Sequence, residues 1–315
     1  MRLIKAIAVI WCSGAVPTLC AQQIPQYTQY VFNYFGINPA VAGSKDCLDI
    51  RLGYRTQWVG FEGAPTTAWA SVHGVLKPKG KSYQANRHGF GAFVEADDAG
   101  PLGYTHFYLA YAYHLKMMND MYFAAGAFAG VKQFKLDAGQ VTLAQYNDPA
   151  IEGKGSVMVL PEIVPGAWLY GKNMWLGLSI FGVLNNQVEG LGVESRLTRH
   201  YMLTGGYKFR VGKATSLSPS TLIKVSGGSP PALDINMMLE WKRTFGLGVT
   251  YRNTDAIAFQ GRVGFLKYFA LGYSYDITTS LIRVSSSNTH EVILSITPCL
   301  PDDPRKNIMR CPIFE

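Results

Sequence analysis

The run from Thr244 to Ile277, TFGLGVTYRNTDAIAFQGRVGFLKYFALGYSYDI, repeats one pattern three times. In its first part Phe245, Leu247, Val249 and Tyr251 alternate with Gly246, Gly248, Thr250 and Arg252, the period of two that sends successive side chains to opposite faces of a strand. The second part sets Ile257, Phe259, Val263 and Phe265 against Ala258, Gln260, Arg262 and Gly264, and the third sets Phe269, Leu271, Tyr273 and Tyr275 against Ala270, Gly272, Ser274 and Asp276. A soluble sandwich shows the same alternation, so periodicity alone does not choose the environment. Strand length and repetition choose it.

Alternation begins upstream at Cys47, where Leu48, Ile50, Leu52, Tyr54 and Trp58 oppose Asp49, Arg51, Gly53, Arg55 and Gln57. A strand of about a dozen residues exceeds the roughly five or six of soluble sheets and matches the roughly 9 to 11 that cross a bilayer at a tilt. Further strands are expected at 65–77, 87–98, 104–115, 121–135, 162–171, 173–183, 198–211, 217–227, 232–242 and 289–297. With the strand at Cys47 and the three of the opening run, the count is about fourteen, the even number that a bacterial barrel needs to return both ends to the periplasm. The expected connections alternate too. Short turns follow the even strands and the long loops, 136–161, 184–197 and 278–288, follow odd ones, whereas 78–86 is longer than that rule allows. The expected fold is therefore all-β: a transmembrane antiparallel β-barrel, headed by a short segment that is helical or extended.

That segment runs from Ile24 to Lys45. Tyr27, Tyr30, Val31, Tyr34 and Phe35 fall at the spacing of one helical face before Gly36 and Pro39 stop it. An extended aromatic arm is the alternative, since tyrosine and valine are indifferent helix formers. An aromatic face with no spanning role must find cover, and the periplasmic mouth of a wide barrel is expected to supply it.

Arg2 and Lys5, the apolar run Ala6 to Val16, and Leu19-Cys20-Ala21 read as a secretory signal peptide cleaved after Ala21. Acylation at Cys20 is the competing reading. Removing the segment takes two basic residues, so 27 minus 21 leaves a charge of +6. The charge forms no nucleic-acid stripe, and export argues against such a partner. The expected division is 1–21 signal, 22–46 N-terminal plug, 47–297 barrel and 298–315 periplasmic tail.

Residues expected to face the lumen include Arg51, Glu95, Asp97, His106, His114, Lys208, Arg210, Arg252, Gln260, Arg262, Asp276 and Glu291. Charges there are first of all a wet or salt-bridged filling. The sequence has no nucleophile elbow, zinc-ligand spacing or phosphate-binding loop. His106 and His114, eight apart on one strand face, stand roughly 26 Å apart by strand rise and cannot share a metal. No catalytic, cofactor or metal site is expected.

Four runs carry a resemblance: Gln26-Tyr27-Thr28-Gln29-Tyr30, Phe32-Asn33, Asn38-Pro39-Ala40-Val41-Ala42-Gly43, and Tyr54-Arg55-Thr56-Gln57-Trp58-Val59-Gly60-Phe61-Glu62-Gly63-Ala64-Pro65-Thr66-Thr67. Together with Tyr275-Asp276-Ile277-Thr278 and His290-Glu291, this sequence resembles the PorP/SprF family, outer-membrane proteins of the Bacteroidetes type IX secretion system. Glu62 stands where the family often has aspartate. The resemblance implies a non-enzymatic outer-membrane subunit that docks periplasmic machinery for cargo with C-terminal secretion domains. Its implied partners are secretion components of the outer membrane and periplasm, the lipid bilayer and secreted cargo. The motif residues Asn38, Pro39, Ala40, Gly43, Tyr54, Arg55, Gln57, Trp58, Gly60, Phe61, Gly63 and Pro65 either shape a hairpin or form a docking surface; Trp58 is expected to face outward near the rim. A passive porin or a carrier of hydrophobic molecules is the alternative class.

Cys47, Cys299 and Cys311 remain after signal cleavage. Cys47 and Cys299 are expected at one rim, within disulfide reach of adjacent strands. A Cys299–Cys311 bond is slightly favoured because a tail adapts its geometry more easily than strands do, and three reduced thiols are the third reading. The close, Arg310-Cys311-Pro312-Ile313-Phe314, resembles the family's Cys-Pro-Arg-Phe-like end except at Ile313.

Overall fold

The computed structural model describes residues 24–45, 47–76, 86–117, 121–137, 139, 156–188, 196–242, 244–253, 255–266, 268–284, 286 and 288–298. The expected signal peptide and the tail with Cys299 and Cys311 lie outside the described residues. Fourteen strands form one antiparallel sheet: β1 (Asp49–Thr56), β2 (Thr66–Leu76), β3 (Arg87–Ala99), β4 (Leu102–Lys116), β5 (Tyr122–Leu136), β6 (Ser156–Tyr170), β7 (Met174–Phe181), β8 (His200–Tyr207, resumed after one residue as Phe209–Arg210), β9 (Thr215–Ser226), β10 (Ala232–Trp241), β11 (Phe245–Arg252), β12 (Ala256–Phe265), β13 (Phe269–Thr278) and β14 (Thr289–Ile296). Each pairs with the next, and β14 returns to β1 with Ile50 opposite Ile296 and Thr56 opposite His290. Closure pairs the last strand back onto the first, so the sheet has no terminal edge strand, the condition for a sheet in hydrocarbon.

The period of two becomes inside and outside. In β1 Asp49, Arg51 and Arg55 are buried while Leu52 and Tyr54 are 46% and 54% exposed. Phe107, Leu109, Leu247, Phe259 and Leu271 likewise stand exposed on the outer wall. So continuous an apolar surface needs a lipid solvent. Aromatic pairs mark the short-turn end: Tyr207 with Phe209 at 4.6 Å, Trp241 with Phe245 at 5.9 Å and Phe265 with Phe269 at 5.8 Å between ring centroids. They suit the belt where amphipathic rings meet headgroups.

The sixth strand departs from its expected start. It begins at Ser156 rather than 162 and carries Pro161 and Pro165 within it. β7 pairs only with Gly166–Tyr170, so the first ten residues of β6 have a strand neighbour on the β5 side alone. Proline is tolerated where one edge has no ladder, and Asn186 Nδ2 donates to the Pro161 carbonyl at 2.7 Å. A proline pair in sequence reads as a strand boundary; here it blunts an edge.

Inside the barrel, the N-terminal segment is three short turns rather than one amphipathic helix: 3-10 turns at Tyr30–Phe32 and Pro39–Val41 flank a single α-turn at Tyr34–Ile37. Every residue from Tyr27 to Lys45 is buried. Enclosed on all sides, the segment has no solvent face to keep a helical stripe in register, and side chains of Asn33 and Asn38 cap the turns through Gly36 N and Ala40 N. It spans more than the periplasmic mouth, because Thr28 meets Arg55 and Asp276 near the long-loop end and Lys45 meets Asp49 at the other. The wall is cut back to admit it: a Cβ on Gly89 would stand 1.9 Å from the Ala42 carbonyl oxygen, and one on Gly166 would stand 2.3 Å from Asn38 Oδ1.

Cys47 is disulfide-bonded. The Cys299–Cys311 bond favoured from sequence lies outside the described residues. Peptide mapping without reductant is expected to return the Cys47 peptide linked to another cysteine of the chain, and free alkylation of Cys47 would refute the bond.

Candidate functional site

The polar lumen forms two latches on the inner segment. The first lies near the long-loop end. β1 points Arg55 inward, 1% exposed, where its guanidinium bonds Thr28 Oγ1 and pairs with Asp276 of β13 at 3.3 Å and Glu291 of β14 at 3.0 Å. Glu291 in turn accepts from the backbone N–H of Thr28 at 2.7 Å and of Gln29 at 3.1 Å. Arg252 of β11 donates to the Tyr27 carbonyl at 3.4 Å and pairs with Asp234 at 3.3 Å and Asp255 at 3.0 Å. On the facing wall the Tyr27 hydroxyl donates to Glu95. A buried charge is tolerable when its partners satisfy it, and here the partners are shared between wall and segment.

The second latch is at the short-turn end. Asp49 holds Lys45 at 2.5 Å and Arg51 at 3.0 Å, and Arg51 also donates to the Phe32 carbonyl. Between the latches the contacts are aromatic. Phe35 lies 5.2 Å from Phe128 and 4.6 Å from His73, and Tyr34 lies 5.5 Å from Trp168. Such pairs contribute about 0.5–1.5 kcal/mol each beyond their buried area. Tyr30 meets Ser220 at 3.0 Å. Burial above all, then Tyr34, raises its phenol well above the ordinary range, so it remains protonated.

Asn38 shows how closely segment and wall fit. Its Nδ2 donates to the carbonyls of Ala167 at 2.9 Å and Leu178 at 3.2 Å, a register pair of the β6–β7 ladder, while its Oδ1 accepts from Ala40 N. Asn38→Ala is expected to lower stability by about 1–3 kcal/mol, the cost of leaving buried polar groups unmade. Urea unfolding in detergent micelles checks it, and an unchanged midpoint would show that the bonds are replaceable.

The motif singled out from sequence is not one surface. Asn38, Pro39, Ala40 and Gly43 are buried in the lumen, Arg55 and Gln57 face inward, and Tyr54 faces out. Gly60 and Phe61 are exposed in the β1–β2 turn, with Gly63 at a φ of 71° and Pro65 completing it through a carbonyl that accepts from Gln57 N at 2.9 Å. Trp58 does not continue the outward stripe: it is half-buried in the turn at a φ of 50°, and its N–H donates to Thr289 Oγ1 at 3.1 Å. Of the lumen set, Arg51, Glu95, Arg252, Asp276 and Glu291 are buried, Asp97 and Arg262 are half-buried, and Arg210 is exposed.

Sequence reasoning left Asp49, Asp234, Glu162 and Thr28 out of the site. The first two share the inward parity of their strands and were legible; Glu162, which accepts from the Tyr108 hydroxyl at 2.7 Å, lay at the misplaced start of β6. Among the described residues no three His, Cys, Asp or Glu side chains are placed to hold a metal.

A family model described as "Type IX secretion system membrane protein PorP/SprF" matches residues 19–296. No curated protein matches the chain. Among solved structures, the Ralstonia pickettii toluene transporter TbuX shares 10% identity at a TM-score of 0.49, covering 82% of this chain and 91% of its own. A Pseudomonas aeruginosa FadL homologue shares 11% at a TM-score of 0.47, covering 87% and 94%.

Proposed function

From the premise that the chain belongs to the PorP/SprF family of type IX secretion system membrane proteins, we propose that it is a non-enzymatic outer-membrane docking component of that machine. In this reading it anchors periplasmic parts of the machine at the outer membrane for export of cargo with C-terminal secretion domains. Residues 22–46 act as its plug and 47–297 as its barrel. The quoted motif runs support the narrower assignment, within the family, to PorP.

One observation carries the choice of docking over transport. The lumen holds a segment that is buried from Tyr27 to Lys45 and bonded to the wall at both ends. A porin keeps its lumen wet, and a carrier needs an apolar path, whereas the polar groups here are engaged in holding the plug. A deletion strain tests the reading: cargo export should fail and return with the wild-type gene. Normal export with loss only of small-solute uptake would replace docking by transport.

A further inference from the structure

β6 reaches further past the long-loop end than the strand beside it. β7 pairs with it only from Gly166 to Tyr170 and stops at Phe181. There Gly182, at a φ of 68°, turns the chain away, and its N–H donates to the buried Glu162 at 3.2 Å. Residues 156–165 keep their ladder to β5, and among the described residues no strand lies on their other side. In an antiparallel ladder, residues of one parity turn both N–H and C=O toward a given neighbour and residues of the other parity turn both away. Pro161 and Pro165 have no N–H to give, so the odd residues of β6 are the ones turned away from β5. The Pro161 carbonyl agrees, since it accepts from Asn186 Nδ2 at 2.7 Å. The open edge thus presents the N–H and C=O of Val157 and Val159, and the two prolines blunt it below them.

Register places this stretch outside the hydrocarbon. Phe107, Val131 and Pro161 form one row of the outer wall across β4, β5 and β6, and the next row outward is Thr105, Gln133 and Val159. Val157 follows, beside Lys135. Phe107 and Val131 suit lipid, whereas Thr105, Gln133 and Lys135, all exposed, suit water. Val157 and Val159 are nevertheless apolar and 61% and 60% exposed. On the inner face Met158 and Leu160 pack on Phe134, Leu136, Val188 and Leu197. The edge is therefore held in place, and pairing with it requires no ordering on this side.

We propose that the edge at Val157 and Val159 is a docking site for an extended strand of another protein at the outer surface, which joins the sheet beside β6. An exposed apolar edge is a template for a further strand; its backbone groups supply the affinity and alternate side chains choose the partner. The strand that fits is short, about four or five residues, with β-branched or other apolar side chains on the outer face beside the two valines. Pro161 ends the site, because it has no N–H and its carbonyl is taken. A second copy of the chain does not fit. Two barrels in one membrane are related by an axis along its normal, so their β6 strands run the same way and cross at about 70–90°, twice the strand tilt and too steep for a ladder. The site faces away from the periplasm and stands independently of the docking reading.

Residue-resolved hydrogen exchange of the full mature chain in lipid nanodiscs tests it, with a synthetic TVTVTVT peptide as probe and the same peptide N-methylated throughout as control. In the chain alone the amides of Val157 and Val159 should exchange fast while those of Met158 and Leu160 are protected by β5; the probe should slow the first two at least about tenfold, and the control should not. Val159→Pro removes an edge N–H and leaves the β5 ladder intact, as Pro161 does natively; probe binding, followed by fluorescence anisotropy, should weaken at least about tenfold. Val159→Thr keeps the N–H and should bind. Heat-modifiable migration on gels confirms that each variant is folded. Protection of Val157 and Val159 in the chain alone, or no slowing under saturating probe, overturns the proposal: the edge is then already occupied or merely solvated. Weakening by Val159→Thr but not by Val159→Pro overturns it too, since apolar contact rather than a ladder would be at work. In cells, a photo-crosslinking phenylalanine analogue at position 157 should give an adduct with another polypeptide that Val159→Pro abolishes. An adduct with a second copy or with lipid alone, or one that survives Val159→Pro, removes the assigned occupant.

Discussion

Deleting residues 24–45 is expected to turn a closed barrel into a conducting one. A fourteen-stranded barrel has an interior wider than its own side chains can fill, and in this chain the remaining space is taken by the aromatic turns of the plug. Without them Arg51, Arg55, Arg252, Asp276 and Glu291 would face an empty lumen, and water would enter to solvate them. The barrel itself should still close, because the β1–β14 ladder from Ile50 to Thr56 includes no plug residue. In planar bilayers, single-channel conductance should rise by about tenfold or more over the intact chain, toward that of an open porin. An intact protein that already conducts at that level would show that the plug is not a seal.

The second large effect belongs to Arg55. Replacing it with leucine removes the cation that Asp276 and Glu291 share, leaves Asp276 with Arg252 alone at 3.6 Å, and takes one of the bonds from Thr28, a loss of about 3–5 kcal/mol for a broken buried pair. The midpoint of urea unfolding should fall accordingly, and protease should reach the plug. Neutralising the two acids gives the discriminating result. Arg55→Leu combined with Asp276→Asn and Glu291→Gln should recover part of the loss, since the penalty comes from uncompensated charge. If the triple variant is no more stable than Arg55→Leu alone, packing rather than charge explains the effect.

The barrel was legible because lipid outside and polar groups inside impose the strictest alternation a sheet can have. Leu247 and Thr250, Leu52 and Arg51 fall on the sides their parity assigns. Where parity governs less, reading was poorer. The start of β6 was misplaced because the strand keeps one neighbour past its prolines, which local sequence does not reveal. The plug was legible as apolar chain needing cover, but its three turns were not, since tertiary contacts with Phe128, Trp168 and Arg51 set them and local propensity does not. Its latches were half legible. The strands announced their inward charges; what those charges hold depends on residues more than 200 positions away, as with Thr28 and Asp276.

That separation bears on the order of events during biogenesis. The plug is translated first, yet Thr28 and Gln29 are fastened by Asp276 and Glu291, 248 and 262 positions later. Contacts so distant form only after the intervening loop closure has been made. A nascent barrel lacking β13 and β14 therefore holds its plug at the long-loop end only through Arg55, Glu95 and Arg252, and the arrival of those two strands completes wall and fastening in one step. The state of the Thr28 latch is thus a built-in reporter of finished assembly, one that a protease directed at the N-terminal segment could read during insertion.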